Sequence, residues 1–348
     1  MKTTVVSRHV AVGVSALIGI MLMGSVQSAH AQTTGTIVSD LTVRARILKE
    51  GRAIDPFVRT GNAHAIFTRF NPQMAQAVTE SSVQQILKDV LSQAPLGDLL
   101  GDSVRTDGNG TDVYEAEYTW GTSLEYVEAD FDTNGQISGL MITGRDALPL
   151  DPMAGRLTKG VYRLPFNGTW WVFWGGNTDI QNYHVVAPDQ RHAYDIVIAK
   201  DGKDYHDSPN ENRNYYDFGQ HILAPADATV VEAVDGIAEN VPGSLNADKP
   251  AGNHVILDCG NGEYLVMAHF KDHSIRVKTG DKVTKGEFIA ECGNTGNSSE
   301  PHLHIHLQNG PTLFKATGLP LVFTDFTVGG KSIMRGELLQ GQFVKAVN

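Results

Sequence analysis

Apolar and polar positions follow two different rhythms along the chain. In "SSVQQILKDVLSQ", Val83, Ile86, Leu87, Val90 and Leu91 recur at intervals of three and four, which predicts an amphipathic helix with one face for a core. Ser81 followed three residues later by Gln84 resembles a capping box at its start. "DVYEAEYTW" alternates instead, with Tyr114, Ala116, Tyr118 and Trp120 on one face and charged groups on the other, the period of a half-buried strand. "EYVEADFDTNGQISGLMI" reads as a strand, a turn at Asn134 and Gly135, and a second strand. A helix followed by a meander predicts an α+β first domain over residues 32–148.

Residues 149–165 are rich in Pro and Gly with no clear period and are a linker candidate. From Phe166 onward, short apolar runs such as "WWVFWGG", "AYDIVIA", "TVVEAVDG", "NHVILDCGNG" and "HLHIHLQ" alternate with Gly, Asn and Asp turns. Regular short strands with no convincing helix predict a mainly-β second domain over residues 166–348, built of antiparallel sheets as a barrel or sandwich. Trp170, Trp171 and Trp174 can line a cleft, although core or rim packing is the commoner use of each. At 348 residues and 41% hydrophobic content, two domains fit better than one, because single cores stop growing well before this length.

The first residues change where the protein is expected to work. Lys2 and Arg8 precede an apolar run from Val10 to Val26, and "AHA" follows before Gln32, the pattern of a secretory signal over residues 1–31 cleaved after Ala31. The run is a little short for a span of about 20 residues, so no stable membrane insertion is expected after cleavage. No cysteine follows the run, which excludes lipid attachment at that point. An exported, periplasmic or extracellular, product is expected. Cleavage removes two basic residues and no acidic ones, so 26 basic side chains face 39 acidic ones, a formal charge of −13. That acidity argues against a nucleic-acid partner, which calls for a basic patch. Cys259 and Cys292 are the only cysteines, and an oxidising compartment leaves a disulfide between them open. Neither belongs to a Cys-x-x-Cys pair, so sulfur ligation of zinc is not indicated.

Candidate chemistry lies with the histidines, ten of whose 13 copies fall beyond residue 180. In "EPHLHIHLQNG", taken as a strand, His302, His304 and His306 point one way while Leu303, Ile305 and Leu307 point to a core. Packing does not explain three imidazoles on one face, so at least one is expected to have a metal or catalytic role. A hydrolytic zinc site needs about three protein ligands and one position left open. Asp195, opening the apolar strand of "HAYDIVIA", is the carboxylate candidate, although an Asp there can also cap a turn. His192 lies three residues before it and would face the opposite side of an extended strand. His184 lies 11 residues before it, and a loop through Pro188 can return it to the same side, so it is favoured over His192. His269, ending the apolar "YLVMAHF", can lean into the same cleft as a base or, protonated, as an oxyanion donor. His64, His254, His273, His206 and His221 read as structural or exposed.

Two resemblances add to this reading. From residue 65 to 142 the chain resembles the small α+β domains related to nuclear transport factor 2, which occur as additions to secreted bacterial enzymes. From Phe166 to Gln308, "NYHVVAPDQRHAYDIV", "LAPADATVVEAVDG", "GNHVILDCGNGEYLVMAHF" and "VKTGDKVTKGEFIAECGNTGNSSEPHLHIHL" stand in the order found in M23 peptidases, zinc endopeptidases of the lysostaphin type that cut peptide cross-links in bacterial cell walls. That resemblance implies one Zn2+ per chain held by His184, Asp195 and His304, with His302 and His269 as catalytic histidines that do not bind the metal. It leaves His306 without a role. It implies hydrolysis of peptide bonds in peptidoglycan cross-links or stem peptides, or in another peptide substrate. The chain departs from the commonest pattern in the long gap between His184 and Asp195, in His192 where a subset with an extended loop carries tyrosine, and in Ala228 where glycine is common. Two other classes compete: a non-enzymatic wall-binding or hydrolase-regulating protein of the same fold, and a biotinyl or lipoyl carrier. The carrier reading lacks a Met-Lys-Met or Asp-Lys-Ala tripeptide.

Overall fold

The computed structural model describes residues 19–23, 41–93, 95–106, 112–121, 123–145, 151–156 and 158–347. Two compact units meet in sequence between Leu148 and Pro149.

The first unit opens with helices α1 (Leu41–Arg59), α2 (Ala63–Phe67), α3 (Pro72–Ala77) and α4 (Glu80–Gln93). Helix α1 buries Arg44, Ile47, Gly51, Ile54 and Val58, whose alternating intervals of three and four make one continuous face. Gly51 is required there, because a Cβ would lie 2.2 Å from the Tyr114 ring. Helix α4 is the predicted one, but Thr79 rather than Ser81 caps it: Thr79 Oγ1 accepts from the Ser82 N–H at 3.2 Å.

Strands β1 (Gly19–Met23), β2 (Leu96–Thr106), β3 (Asp112–Trp120), β4 (Ser123–Phe131) and β5 (Ile137–Arg145) form an antiparallel sheet in the order β1-β5-β4-β3-β2. The predicted turn joins β4 to β5, with Gly135 at a φ of 75° that favours glycine and Asp132 Oδ1 accepting from the Asn134 and Gln136 N–H groups. β3 departs from the predicted half-buried pattern, because Glu115 and Glu117 are as buried as Tyr114 and Tyr118. Arg105 explains part of this, pairing with Glu115 and, at 2.8 Å, with Glu128. β1 lies within the run read as a signal, and the rest of residues 1–31 falls outside the described residues. No described helix is long and apolar enough to cross a membrane.

In the second unit follow β6 (Thr169–Trp174), β7 (Tyr194–Val197), β8 (His221–Leu223), β9 (Ala228–Val234), β10 (Asn253–Asp258), β11 (Tyr264–Phe270), β12 (Lys282–Val283), β13 (Phe288–Glu291), β14 (Leu303–Gln308), β15 (Gly318–Leu319), β16 (Phe323–Val328), β17 (Lys331–Gly336) and β18 (Phe343–Ala346). Among the described residues the main sheet runs β12-β9-β10-β11-β14-β7-β6-β18-β16-β17, with β15 beside β14, while β8 and β13 form a separate ribbon. Among the described residues of this unit, the helical turns are two short 3-10 segments, Tyr183–Val186 and Asn212–Asn214. This is the mainly-β, antiparallel architecture expected from the sequence.

β14 lies between β11 and β7, and its Leu303, Ile305 and Leu307 are fully buried in the core with Leu257, Leu265 and Met267. Those six side chains anchor the strand that carries the histidines.

Part of the linker candidate is packed into the second unit: Tyr162 and Leu164 are fully buried, and Glu263 accepts from the Lys159 and Gly160 N–H groups and the Tyr162 hydroxyl. Apolar residues interleaved with the Pro and Gly supply that packing. Cys259 and Cys292 are free thiols, so no disulfide joins them. Trp170 and Trp171 are core residues, whereas Trp174 is half-buried and meets Tyr183 edge-on at 5.4 Å.

Candidate metal centre

Cross-strand register creates the centre. His304 on β14 stands directly opposite Asp195 on β7, so their side chains share one face, and His304 Nδ1 lies 2.9 Å from Asp195 Oδ1. His184 arrives from the 3-10 turn Tyr183–Val186, whose chain folds back before β7, and its Nε2 lies 3.6 Å from Asp195 Oδ2. One ligand atom from each of His184, Asp195 and His304 lies within 4.8 Å of the others, and all three residues are buried.

Asn182 makes this possible and was not singled out from the sequence. Its Nδ2 donates to the carbonyls of Gly176 and Ala193, which turns Oδ1 toward His184 to accept from its backbone N–H and, at 2.8 Å, from Nδ1. His184 therefore presents the unprotonated Nε2, a buried atom with no partner, to Asp195 and His304. Tyr183 was also missed; its hydroxyl donates to Asp195 Oδ2 at 3.3 Å. The only sequence signal for either is adjacency to His184.

Electrostatics favour metal-binding protonation states. Burial raises the Asp195 carboxyl, but His184, His302 and His304 outweigh it and hold the group well below the usual carboxylate range. Burial pushes His184 down to about 3, against the opposing pull of Asp195 and with help from His304 and His302. Near neutral pH the site thus offers an ionised carboxylate and a neutral imidazole. Two imidazoles, one carboxylate and an orphaned buried nitrogen fit a zinc-type donor set.

Two more histidines border this set. His302 Nε2 is 3.7 Å from Asp195 Oδ1, and its Nδ1 donates to the Glu300 carbonyl at 2.9 Å. The His269 ring lies 4.8 Å from that of His302 and 5.7 Å from that of His304, and its Nδ1 donates to the Thr295 carbonyl at 2.7 Å. Regular alternation would turn His269 away, since its neighbour Ala268 already faces His304. A φ of 65° at His269 breaks the pleat there, a strained conformation of the kind that gathers at functional sites. Burial, then His302 and His304, press its pKa well below the ordinary imidazole value.

The remaining histidines stay outside. His192 is 3.0 Å from Asp151 Oδ2 and is not among the converging ligand atoms. His254 binds the Gly252 carbonyl, and His206, His221, His273 and His64 are exposed. A cleft of about 120 Å³ opens beside the centre, lined by Tyr183, Gln190, His269, His304, His306 and Phe314 among others.

Residues 215–315, which include His269, His302 and His304, match the model of peptidase family M23. Those residues therefore form a stretch similar to the M23 peptidases. Over 86 residues it is 40% identical to an uncharacterized metalloprotease of Haemophilus influenzae, covering 25% of this chain and 15% of the relative. Over 90 residues it is 33% identical to the peptidoglycan DD-endopeptidase ShyA of Vibrio cholerae, covering 26% of this chain and 19% of the relative. The chain thus spans less than a fifth of the length of these curated relatives. The catalytic domain of lysostaphin from Staphylococcus simulans aligns with a TM-score of 0.26 at 20% identity, covering 44% of this chain and 88% of that one.

A buried carboxyl near the start of the matched residues carries an electrostatic cost. Asp217 is fully buried; burial and then the Asp204 carboxylate raise its pKa well above 3.8. Nearby backbone N–H groups of Asp217, Ile198 and Phe218 oppose this without outweighing it. Such a group keeps its proton when folded while the unfolded chain ionises, so the stability present below the unfolded pKa is lost as pH rises toward the folded one. Asp217→Asn removes that ionisation. The variant is expected to melt a few degrees above the wild type at pH 8, with the gap closing at pH 4, in calorimetry. A constant gap would contradict the assignment.

Proposed function

We propose that the chain is an exported zinc-dependent endopeptidase acting on peptide bonds of bacterial peptidoglycan, with His184, Asp195 and His304 holding one zinc ion. His302 and His269 are its proton-handling residues. The observation that carries this reading is the clustering of five side chains from four separate segments around Asp195, His304 and the His302 ring, with Nδ1 of both His302 and His269 donating to backbone carbonyls so that each Nε2 is left unprotonated in the neutral ring.

A zinc ion held there supplies Lewis acidity to a scissile carbonyl and makes water a better nucleophile at neutral pH. The Nδ1–H of His302 and of His269 is committed to a carbonyl, so each Nε2 is free to take a proton from the attacking water or, once protonated, to donate to the developing oxyanion or the leaving amine. Tyr183 and Asn182 hold Asp195 and His184 in place.

Peptidoglycan as substrate is supported by the leader-like N-terminus, by the acidic charge that disfavours nucleic acid, and by the named activity of the Vibrio cholerae relative. The first unit is read as an accessory domain of the kind related to nuclear transport factor 2. Metal analysis of the purified protein tests the central part: one equivalent of zinc per chain is expected, and activity lost to a chelator returns with added zinc. Failure to retain zinc after loading would overturn the proposal.

A further inference from the structure

The third histidine of the run, His306, is used by nothing described above, yet it is 2% exposed and sits in a directed chain of hydrogen bonds. His304 Nε2 is 2.9 Å from His306 Nδ1, His306 Nε2 is 3.2 Å from Gln308 Oε1, and Gln308 Nε2 is 2.8 Å from the Gly310 carbonyl. These three side chains stand at alternate positions of β14 and so share one face. All three are buried.

The direction of the chain follows from its last member. A backbone carbonyl only accepts, so Gln308 must present its NH2 to Gly310, which leaves Oε1 facing His306. An amide oxygen also only accepts, so His306 carries its proton on Nε2 and offers Nδ1 as an acceptor. His304 must then carry a proton on Nε2, so that in the neutral imidazole the lone pair is on Nδ1, the atom 2.9 Å from Asp195 Oδ1, where a cation held between the two acceptors would remove their repulsion. The opposite tautomer of His304 would set two lone pairs against each other at His306 and turn an N–H into the ligand cluster.

We propose that His306 is a positioning residue: with Gln308 and the Gly310 carbonyl it fixes the tautomer and ring orientation of His304, so that Nδ1 is the donor atom of the metal site. This rests on the zinc-site reading above. Outer partners of a ligating imidazole are worth roughly 10–100-fold in metal affinity. Asparagine at position 306 keeps an acceptor oxygen on Cγ, where histidine has Nδ1, whereas leucine fills similar space with no acceptor.

The test has two arms. Chelator competition measures the zinc affinity of the wild-type protein, His306→Leu and His306→Asn, with circular dichroism confirming that each is folded. His306→Leu is expected to bind zinc about 10–100-fold more weakly than wild type, and His306→Asn to recover most of that loss. Equal affinity in all three, or an equal loss in both variants, overturns the relay while leaving the zinc site standing; no zinc binding by the wild type instead overturns the zinc reading. Nitrogen-15 NMR of the zinc-loaded wild type reads the tautomers with no mutation. Nε2–H on both His304 and His306 is expected, and Nδ1–H on His304 overturns the proposal.

Discussion

Asp195→Ala is expected to abolish zinc retention and peptide hydrolysis together while leaving a folded chain. Asp195 is the hub of the centre: His304 Nδ1, His184 Nε2 and His302 Nε2 all lie within 3.7 Å of its oxygens, and the Tyr183 hydroxyl donates to it. Alanine removes the only anionic donor of the converging set. Zinc affinity is expected to fall by more than the roughly 10–100-fold that loss of an outer partner costs. Removing the carboxylate takes the shared acceptor away from a buried polar cluster, a kind of change that costs about 3–5 kcal/mol. The melting temperature of the metal-free variant is therefore expected to fall by roughly 10 °C, with circular dichroism showing a folded chain at room temperature. Parallel metal analysis and thermal melts check both halves; full zinc retention would remove Asp195 from the ligand set.

His302→Ala is expected to separate chemistry from metal binding. Its ring lies 4.8 Å from that of His269 and its Nε2 3.7 Å from Asp195 Oδ1, but it is not one of the three converging ligands. One equivalent of zinc should remain, with turnover reduced by about 10²–10⁴, the range general acid–base catalysis contributes. His269→Ala should behave alike. The double variant should lose less than the product of the single losses, because groups acting on the same proton transfers are not additive. Zinc loss in His302→Ala at unchanged fold would instead make it a ligand.

Much of the site was legible because it is written in strand periodicity. Alternation in "HLHIHL" separated Leu303, Ile305 and Leu307 from the histidines, and the ordered motifs of the second half led to the five candidate residues that the fold brings together. What stayed hidden depends on partners distant in sequence. Asn182 orients His184 only because Gly176 and Ala193 carbonyls fix its amide. His269 reaches the cleft through a left-handed backbone that no periodicity announces. The pairing of His192 with Asp151, which takes it out of contention, joins two segments about 40 residues apart.

In the first unit, α1 was not predicted because Arg44, Gly51 and Pro56 interrupt its apolar pattern. Arg44 nevertheless donates to the Val104 carbonyl from a buried position, and Gly51 makes room for Tyr114. One buried glutamate of β3 was missed for a related reason: Arg105, from the neighbouring strand, offsets the burial of Glu115. Sequence alternation reports one strand at a time and not what covers its second face.

A non-catalytic wall-binding or regulatory protein could share this fold and even its zinc, so metal content alone does not separate it from an enzyme. Incubation of the zinc-loaded protein with purified peptidoglycan, followed by mass spectrometry of the soluble products, separates them directly. The account predicts released fragments with one new amine and one new carboxylate end at a peptide bond, absent after chelation and restored by zinc. An intact peptide network in the presence of stoichiometrically zinc-loaded protein would contradict it.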